Sequence, residues 1–451
     1  RSLWSRIVIA ALLPLLVLVA GFVPVSTVRA VGCGEAPQLP AATAQATERW
    51  RYTYEGAGGY ELIGWTPTEA TVLVNAPGCA LSRMAVVELN LLSGAEMWRV
   101  TADQLQGPPE YGITTASGMV VLSTPKAIYA YDETTGQQLW VASHAFAWAP
   151  EFVANENNVI SHAFDNEIIG LIERSGVLLW HTMLPTGSIA DWENIPQGAL
   201  VGLGRPDTAG QDVMAFGVDQ TSGSVLWQTS VGTTGSSTGG MLNLTGNATG
   251  LLAADITTDG TTALVALDGA SGAIQWTAPL ASDTVLARSY VTGGSQPVVI
   301  YATGDAQETK IATAYDGISG AQLWQNQNIG IDAIVVDDTH LAGAGPALSY
   351  PNALVLVDAI TGEMVWSQPY VLVEGGFTFA AQLFGEQLIY TPPANEASAS
   401  TVMGIDLATG NVTWANSFPE FDGVFVEGLP AGLVMVSGDA ATEAVLVALA
   451  P

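Results

Sequence analysis

The chain has 451 residues, of which 12 are basic and 42 acidic, so its formal net charge is −30. Such a charge repels nucleic acid and anionic lipid headgroups, which excludes both as partners of the folded domain. The apolar fraction of 49% and the 49 glycines indicate a folded chain with a buried core and many turns.

The first predicted element is an apolar segment within residues 1–30. Ile7 to Val28 carry no charge, and Arg1 and Arg6 precede them. The run exceeds the roughly 7–15 apolar residues of a signal-peptide core, so we expect an uncleaved transmembrane helix, with a signal peptide as the alternative. The positive-inside rule then predicts a single-pass protein of the cell membrane, with everything after the helix on the extracytoplasmic side.

Residues 31–47 are rich in Ala and Pro and are interpreted as a linker. The chain has two cysteines, Cys33 and Cys79, and both fall on the side of the membrane where disulfides persist. We expect them to pair and so to tie the linker to the first repeat unit; two free thiols are the alternative. Cys33 also follows a glycine as in lipoprotein cleavage sites, but Arg29 argues against lipidation.

From residue 48 onward the chain repeats one pattern. Each unit has a short apolar strand, an Asp, a tight turn that ends in Gly, and a Trp, as at Asp268, Gly272 and Trp276. Repeats of roughly 40–50 residues made of short strands are typical of β-propellers, with one unit in each blade. The repeat tryptophans are Trp50, Trp98, Trp140, Trp180, Trp227, Trp276, Trp324, Trp366 and Trp414. The turn aspartates are Asp132, Asp219, Asp268, Asp316, Asp358 and Asp406. The sequence therefore predicts an all-β propeller of four-stranded blades at residues 48–451, and the count of units favours nine blades over eight.

The repeat residues are interpreted as architectural and not as ligands. The Gly suits a turn position with positive φ, and the Asp can accept hydrogen bonds from backbone N–H groups of the turn. The Trp is expected on the outer strand, against the neighbouring blade. Asn90 takes the Asp position in the first unit. The third unit, with Ile172 at that position, is interpreted as one residue short.

The two ends of the repeat region are predicted to pair with each other. The chain stops after a strand at Leu446 to Ala450 with no Trp after it, and the strand around Trp50 has no hairpin partner before it. We expect the N-terminal strand to complete the C-terminal blade, which would hide two edges that are open to aggregation.

The Ala-x-Asp-x-x-Ser/Thr-Gly-x-x-x-Trp unit resembles the tryptophan-docking repeat of the quinoprotein-dehydrogenase-like (PQQ-like) propellers, over residues 46–451. This resemblance implies the fold. One branch of that family contains dehydrogenases that bind pyrroloquinoline quinone (PQQ) and calcium. Another contains non-enzymatic propellers, notably the lipoprotein of the outer-membrane barrel-assembly machinery, which docks proteins on its blades.

The dehydrogenase branch implies a cysteine pair beside the cofactor, a Glu/Asn/Asp calcium set and a catalytic Asp. Here the cysteines are 46 positions apart. No candidate acid stands in a recognisable setting, and we interpret these acids as solvated loop residues; they are Glu151, Asp191, Glu193, Asp337 and Asp338. The histidines lack metal-ligand spacing; they are His144, His162, His181 and His340. We therefore predict no catalytic, cofactor-binding or metal-binding residue and no cofactor.

The sequence favours a membrane-anchored, extracytoplasmic scaffold that docks a protein partner. A single anchor suggests a partner in or near the membrane, such as a membrane complex or an envelope protein, with this chain as an accessory subunit. Candidate contact residues are Trp65 and Trp148, which equally fit a core position. A PQQ-dependent dehydrogenase with an atypical site is the alternative, and a propeller that binds cell-wall glycan is another.

Overall fold

The structure, a computed structural model, describes about seven tenths of the chain, and the fold is built from these residues. They are 44–54, 59–75, 84–115, 117–143, 152–154, 158–162, 166–195, 199–205, 211–233, 242–247, 249–258, 261–280, 286–304, 310–326, 334–335, 337–347, 350–368, 380–391, 400–418, 424–429, 432–439 and 444–450. The predicted membrane anchor and linker, with Cys33, Cys79 and Trp148, lie outside them. In the described ranges no helix has the length and apolar character needed to cross a membrane.

Strands form almost all of the regular structure, and one short 3-10 turn covers Ala102–Gln104. The strands are β1 Thr47–Thr53, β2 Gly59–Trp65, β3 Glu69–Asn75, β4 Ala85–Asn90, β5 Glu96–Thr101, β6 Tyr111–Thr114, β7 Met119–Ser123, β8 Ala127–Asp132, β9 Gln138–Ser143, β10 Phe152–Ala154, β11 Asn158–His162, β12 Glu167–Ile172, β13 Leu178–Met183, β14 Ser188–Ile195, β15 Ala199–Arg205, β16 Asp212–Asp219, β17 Val225–Thr233, β18 Leu242–Gly246, β19 Leu251–Thr258, β20 Thr261–Asp268, β21 Ile274–Leu280, β22 Leu286–Val291, β23 Val298–Gly304, β24 Lys310–Asp316, β25 Gln322–Asn326, β26 Ile334–Val335, β27 His340–Ala347, β28 Tyr350–Asp358, β29 Met364–Gln368, β30 Ala380–Phe384, β31 Gln387–Thr391, β32 Ser400–Asp406, β33 Val412–Phe418, β34 Val424–Leu429, β35 Leu433–Asp439 and β36 Ala444–Ala450.

These strands form nine four-stranded antiparallel sheets within the described residues. In chain order they are sheet 1 (β2 to β5), sheet 2 (β6 to β9), sheet 3 (β10 to β13), sheet 4 (β14 to β17), sheet 5 (β18 to β21), sheet 6 (β22 to β25), sheet 7 (β26 to β29), sheet 8 (β30 to β33) and sheet 9 (β34 to β36 with β1). The third strand of a sheet is apolar on both faces, as in β8, because other sheets cover both of its faces. The outer strand alternates between exposed and buried residues, as in β9. The chain is therefore an all-β protein whose sheets fit a PQQ-like β-propeller.

The predicted pairing of the two chain ends is confirmed. Strand β1 pairs antiparallel with β36, and Trp50 lies opposite Ala448. This pairing makes β1 the outer strand of sheet 9. The last sheet is thus built from both ends of the repeat region.

The apolar core lies between the sheets. Nine clusters of buried apolar side chains occur in the described part of the chain, and each combines residues from two consecutive sheets. One cluster joins sheet 9 to sheet 1 through Trp50 and Leu91, among others. The succession of sheets therefore closes on itself, with one apolar interface between each sheet and the next.

The prediction that the third unit is one residue short is wrong. Ile172 occupies the Asp position, and the Gly176 N–H donates to the Ile172 carbonyl over 2.8 Å, as the Gly136 N–H does to the Asp132 carbonyl. The turn has the same length because its closure needs only these backbone bonds. With Ile in place of Asp, this turn lacks only the carboxylate.

Candidate functional site

The repeat aspartates fold the turn between the third and fourth strands of each sheet. Asp316 is typical: its Oδ1 accepts hydrogen bonds from the backbone N–H of Ser319 (2.7 Å) and Ile318 (3.2 Å) and from the Ser319 hydroxyl (2.7 Å). The hydroxyl bond and then the backbone bonds lower the pKa of Asp316. The same Oδ1 role is filled by Asp132, Asp219, Asp268, Asp358, Asp406 and, in the first unit, by Asn90. These carboxylates are engaged in local structure.

The repeat tryptophans join each sheet to the next. The Trp276 indole N–H donates to the Gly317 carbonyl of sheet 6 over 2.9 Å. Its ring covers Gly320, whose φ of +69° and lack of a Cβ let the turn approach; an added Cβ would lie 2.6 Å from Trp276 Cγ. Equivalent indole bonds to a backbone carbonyl of the next sheet are made by Trp50, Trp98, Trp140, Trp180, Trp227, Trp324 and Trp366.

Trp414 differs in its partner, and the next sheet, sheet 9, pairs β36 with β1 from the other end of the repeat region. Its indole N–H donates instead to Oε1 of Gln387 in its own sheet, over 2.9 Å. A segment before β1 takes the place of the turn. The Ala46 N–H donates to Asn416 Oδ1 (2.8 Å), and the Asn416 amide donates to the Ala46 carbonyl (2.9 Å). The N-terminal segment therefore fastens sheet 8 as well as completing sheet 9.

The acids considered for catalysis do not come together. The prediction of solvated loop positions is wrong for Asp191 and Glu193, which lie half-buried on β14. Asp191 is held there because its two oxygens accept the backbone N–H groups of Trp192 (2.9 Å) and Leu244 (2.7 Å). It thereby joins sheet 4 to sheet 5.

The remaining candidates are dispersed. Asp337 lies in the turn before β27 and contacts His340 Nδ1 at 2.9 Å. Asp338, exposed beside it, accepts the Gly293 N–H over 2.8 Å. His181 lies on sheet 3, His162 lies on β11, and Glu151 and His144 lie outside the described residues. Trp65 is half-buried against the cluster between sheets 9 and 1, so part of it belongs to the core.

A cluster of three glutamates, which sequence reasoning missed, lies between sheets 1 and 2. Glu69, Glu88 and Glu133 each place a carboxylate oxygen within 4.8 Å of the others'. Glu88 is 0% exposed and Glu133 is 4% exposed, while Glu69 is half-buried. The Thr71 hydroxyl donates to Glu88 Oε2 over 2.6 Å. Oε1 of Glu88 and Oε1 of Glu133 are buried without a hydrogen-bond partner.

This environment disfavours negative charge. Burial, with a further contribution from the Glu133 and Glu69 charges, raises the pKa of Glu88 to about 8, although the Thr71 hydrogen bond acts in the opposite direction. Burial and then the Glu69 charge raise the pKa of Glu133 to about 7. Two buried carboxyl groups therefore change protonation state near neutral pH.

Comparison of the repeat units shows the signal that could have revealed Glu88. It lies two residues before the Asp position and opposite Trp98. In the other units this position is held by Ala130, Gly170, Gly217, Ala266, Ala314, Leu356 and Gly404. At Gly170 an added Cβ would lie 2.3 Å from the Trp180 ring, so the position favours a small residue. A glutamate there departs from the repeat.

A second candidate site is an exposed apolar surface on sheet 3, which we call the sheet 3 patch. Its members are Ile172 (36% exposed), Val177 (56%), Leu178 (55%), Leu179 (41%) and Met183 (63%). No other sheet exposes more than two large apolar side chains among the described residues. The outer strands of the flanking sheets add Leu139, Val141, Val225 and Leu226. Clustered exposed apolar side chains mark interaction surfaces more often than single ones do.

Comparison with known proteins identifies the family. The family model PQQ_2, described as outer membrane protein assembly factor BamB, matches residues 82–243, 209–370 and 307–441. A search of the curated proteins finds no significant match.

Solved structures resemble this chain at low sequence identity. A quinohemoprotein alcohol dehydrogenase, ADHIIG from Pseudomonas putida HK5, has 9% identity and a TM-score of 0.50, covering 91% of this chain and 76% of its own. BamB from Moraxella catarrhalis has 12% identity and a TM-score of 0.48, covering 90% of this chain and 100% of its own. The computationally designed protein Ika8 has 14% identity and a TM-score of 0.48, covering 80% of this chain and 98% of its own. The dehydrogenase likeness indicates a shared fold and nothing about activity.

Proposed function

The chain belongs to the family described as outer membrane protein assembly factor BamB, and we propose that it is a non-catalytic β-propeller scaffold that holds a partner protein on the sheet 3 patch. The observation that carries this proposal is the concentration of exposed apolar side chains on one sheet of a repeating fold. Folding alone gives no reason for one outer strand to be more apolar than its equivalents.

The patch has the size and character of an anchor for a partner. Leu178 and Met183 are each more than half exposed on β13, an edge strand. Both are partly buried already, so covering one of them in an interface contributes about 1–2 kcal/mol. His181 lies between Leu179 and Met183 on this strand, and its Nε2 is 3.3 Å from Oε2 of Glu167. The patch therefore offers polar contacts as well as apolar side chains, as protein interfaces do.

The ring gives this surface a rigid support. In the proposal the nine sheets are nine blades of one closed propeller. The apolar interface between sheets 9 and 1 and the β1–β36 pairing support this count. A partner that docks on the outer strand of sheet 3 then meets a surface whose position is fixed by its neighbours on both sides.

The proposed setting is the membrane. Residues 1–30 anchor the chain in the cell membrane by a single helix, and the propeller lies on the extracytoplasmic side. The partner is a membrane or envelope protein, and this chain is an accessory subunit of its complex. Catalysis is not part of the proposal, because the candidate acids are dispersed and Asp191 on β14 is held by two backbone N–H groups.

The experiment compares one substitution at two equivalent positions. Leu178 and Ile274 both lie two residues before a repeat Trp, and they are 55% and 46% exposed. Leu178→Arg and Ile274→Arg chains are extracted in mild detergent and captured by a C-terminal tag, and the copurifying proteins are quantified by mass spectrometry. We expect Leu178→Arg to lose its partner at least tenfold, which corresponds to about 1.4 kcal/mol. Ile274→Arg should retain it.

Two results would refute the proposal. One is a wild-type chain that copurifies with no stoichiometric partner. The other is equal retention of the partner by both variants, with thermal melts equal to that of the wild type. Quinone-dependent alcohol oxidation by the purified chain would instead favour the dehydrogenase alternative, and retention on cell-wall glycan would favour the glycan-binding one.

A further inference from the structure

We propose that Glu69, Glu88 and Glu133 bind one divalent cation of the calcium type between sheets 1 and 2. This inference is independent of the proposed docking function. It rests on three carboxylates that converge from two sheets and on two buried carboxylate oxygens that have no hydrogen-bond partner.

The backbone fixes the three ligands from different elements. Glu69 begins β3, and its N–H donates to Thr66 Oγ1 over 3.1 Å. Glu88 lies on β4, where Thr71 is its neighbour on β3. Glu133 follows β8; its carbonyl accepts the Trp98 indole N–H over 2.5 Å, and its own N–H donates to the Gly118 carbonyl over 3.0 Å. The site is therefore built by secondary structure and by the contact between the two sheets.

Thr71 and Thr114 orient the most buried ligand. The Thr71 hydroxyl has one proton, which it donates to Glu88 Oε2. Thr71 Oγ1 also lies 3.1 Å from Thr114 Oγ1, so in this arrangement the Thr114 hydroxyl is the donor. This chain of two hydroxyls, one from each sheet, holds one oxygen of Glu88 and leaves Oε1 without a partner. Hydrogen bonds of this kind hold metal-ligating carboxylates in place.

Buried oxygens without partners need an explanation. A buried carboxylate oxygen that lacks a hydrogen bond is destabilising, and native proteins rarely keep one without a reason. Here there are two, Glu88 Oε1 and Glu133 Oε1, in residues that are 0% and 4% exposed. A cation placed among the three carboxylates would satisfy both oxygens and neutralise most of the charge.

The dimensions and chemistry favour calcium. The ligand oxygens lie within 4.8 Å of one another. A central point therefore lies at most about 2.8 Å from each of the three, close to the roughly 2.3–2.6 Å distance from Ca²⁺ to oxygen. One ion can therefore contact all three carboxylates. An all-oxygen donor set suits hard cations and not zinc or copper. Glu69 is only half-buried, which leaves a route by which an ion reaches the buried pair.

The test uses the full chain, freed of metal with EDTA and titrated with CaCl₂ by calorimetry at pH 7. We expect one saturable site per chain. Glu69→Gln and Glu88→Gln should each bind calcium at least tenfold more weakly. Glu363→Gln, at an exposed turn position, should bind as the wild type does.

Absence of a saturable site, or unchanged calcium binding by Glu69→Gln, would overturn the proposal. The cluster would then consist of three carboxyls that share protons and bind no metal ion. Unchanged binding by Glu88→Gln would do the same. Thermal melts in EDTA establish that each variant is folded. If Glu88→Gln does not fold, Glu69→Gln still decides, because Glu69 lies at the rim of the cluster.

Discussion

The Glu88 carboxyl should make the metal-free protein less stable as the pH rises. Burial raises its pKa to about 8 in the folded protein, against about 4.3 for an exposed glutamate. Between these values the unfolded chain has lost the proton and the folded protein retains it, so the free energy of unfolding falls with increasing pH. From pH 5.5 to pH 8 this amounts to about 3 kcal/mol, at about 1.4 kcal/mol per pH unit.

Glu88→Gln removes this contribution because glutamine does not ionise. We expect the free energy of unfolding of the wild type to fall between pH 5.5 and pH 8 by about 3 kcal/mol more than that of Glu88→Gln. Glu133 titrates in the same interval, and because its charge interacts with that of Glu88, the difference between the two proteins belongs to the pair. The measurement is urea unfolding followed by tryptophan fluorescence, in EDTA, at the two pH values.

Glu363→Gln is the matched control and should keep the wild-type pH dependence, because Glu363 is exposed. The reasoning is refuted if Glu88→Gln loses as much stability as the wild type between the two pH values.

Two further predictions concern the ring. Gly320→Ala should lower the free energy of unfolding by about 2–4 kcal/mol, because φ is +69° and the new Cβ would lie 2.6 Å from an indole of the preceding sheet. Gly385→Ala, with φ of +59° and no atom within 4 Å of the new Cβ, should lower the free energy of unfolding by only about 1–2 kcal/mol. Equal effects of the two substitutions in urea unfolding would contradict the role of the contact between the Trp ring and the turn Gly. Asn416→Ala should lower the free energy of unfolding by about 1–3 kcal/mol, because the two hydrogen bonds to Ala46 are lost. Asn411→Ala, in an exposed turn, should change this free energy little. No difference between the two Asn variants would mean that the N-terminal segment does not fasten sheet 8.

The sequence was sufficient for the fold because the repeat residues act locally. A turn Asp, a turn Gly and a Trp fix one hairpin and its contact with the next sheet, as at Asp316, Gly320 and Trp324. The pairing of β1 with β36 was also predicted from the repeat pattern, and the structure shows it. Neither prediction required knowledge of distant contacts.

The candidate sites depend on contacts between units, which a single sequence does not display. Asp191 bonds a backbone N–H of the next sheet, and that neighbour is 53 residues away. Glu69 and Glu133 are separated by 64 positions and meet only because sheets 1 and 2 pack face to face. Glu88 had a sequence signal, a charged residue at a position that is almost always Ala or Gly, but its significance appears only when the units are aligned on the Trp.

Ile172 shows how such departures from the repeat bear on function. At this position Asp316 accepts two backbone N–H groups and one hydroxyl, and an Ile can accept none. The sheet 3 turn closes by backbone bonds alone, and it exposes 36% of an apolar side chain as well. Both effects lower the stability of the isolated propeller, so stability does not explain the residue. Since Ile172 extends the patch formed by Leu178 and Met183, a partner that covers this surface does explain it. Ile172→Asp should therefore raise the free energy of unfolding of the isolated chain and weaken its binding to the partner. If Ile172 served the stability of the propeller, the substitution would lower that free energy instead.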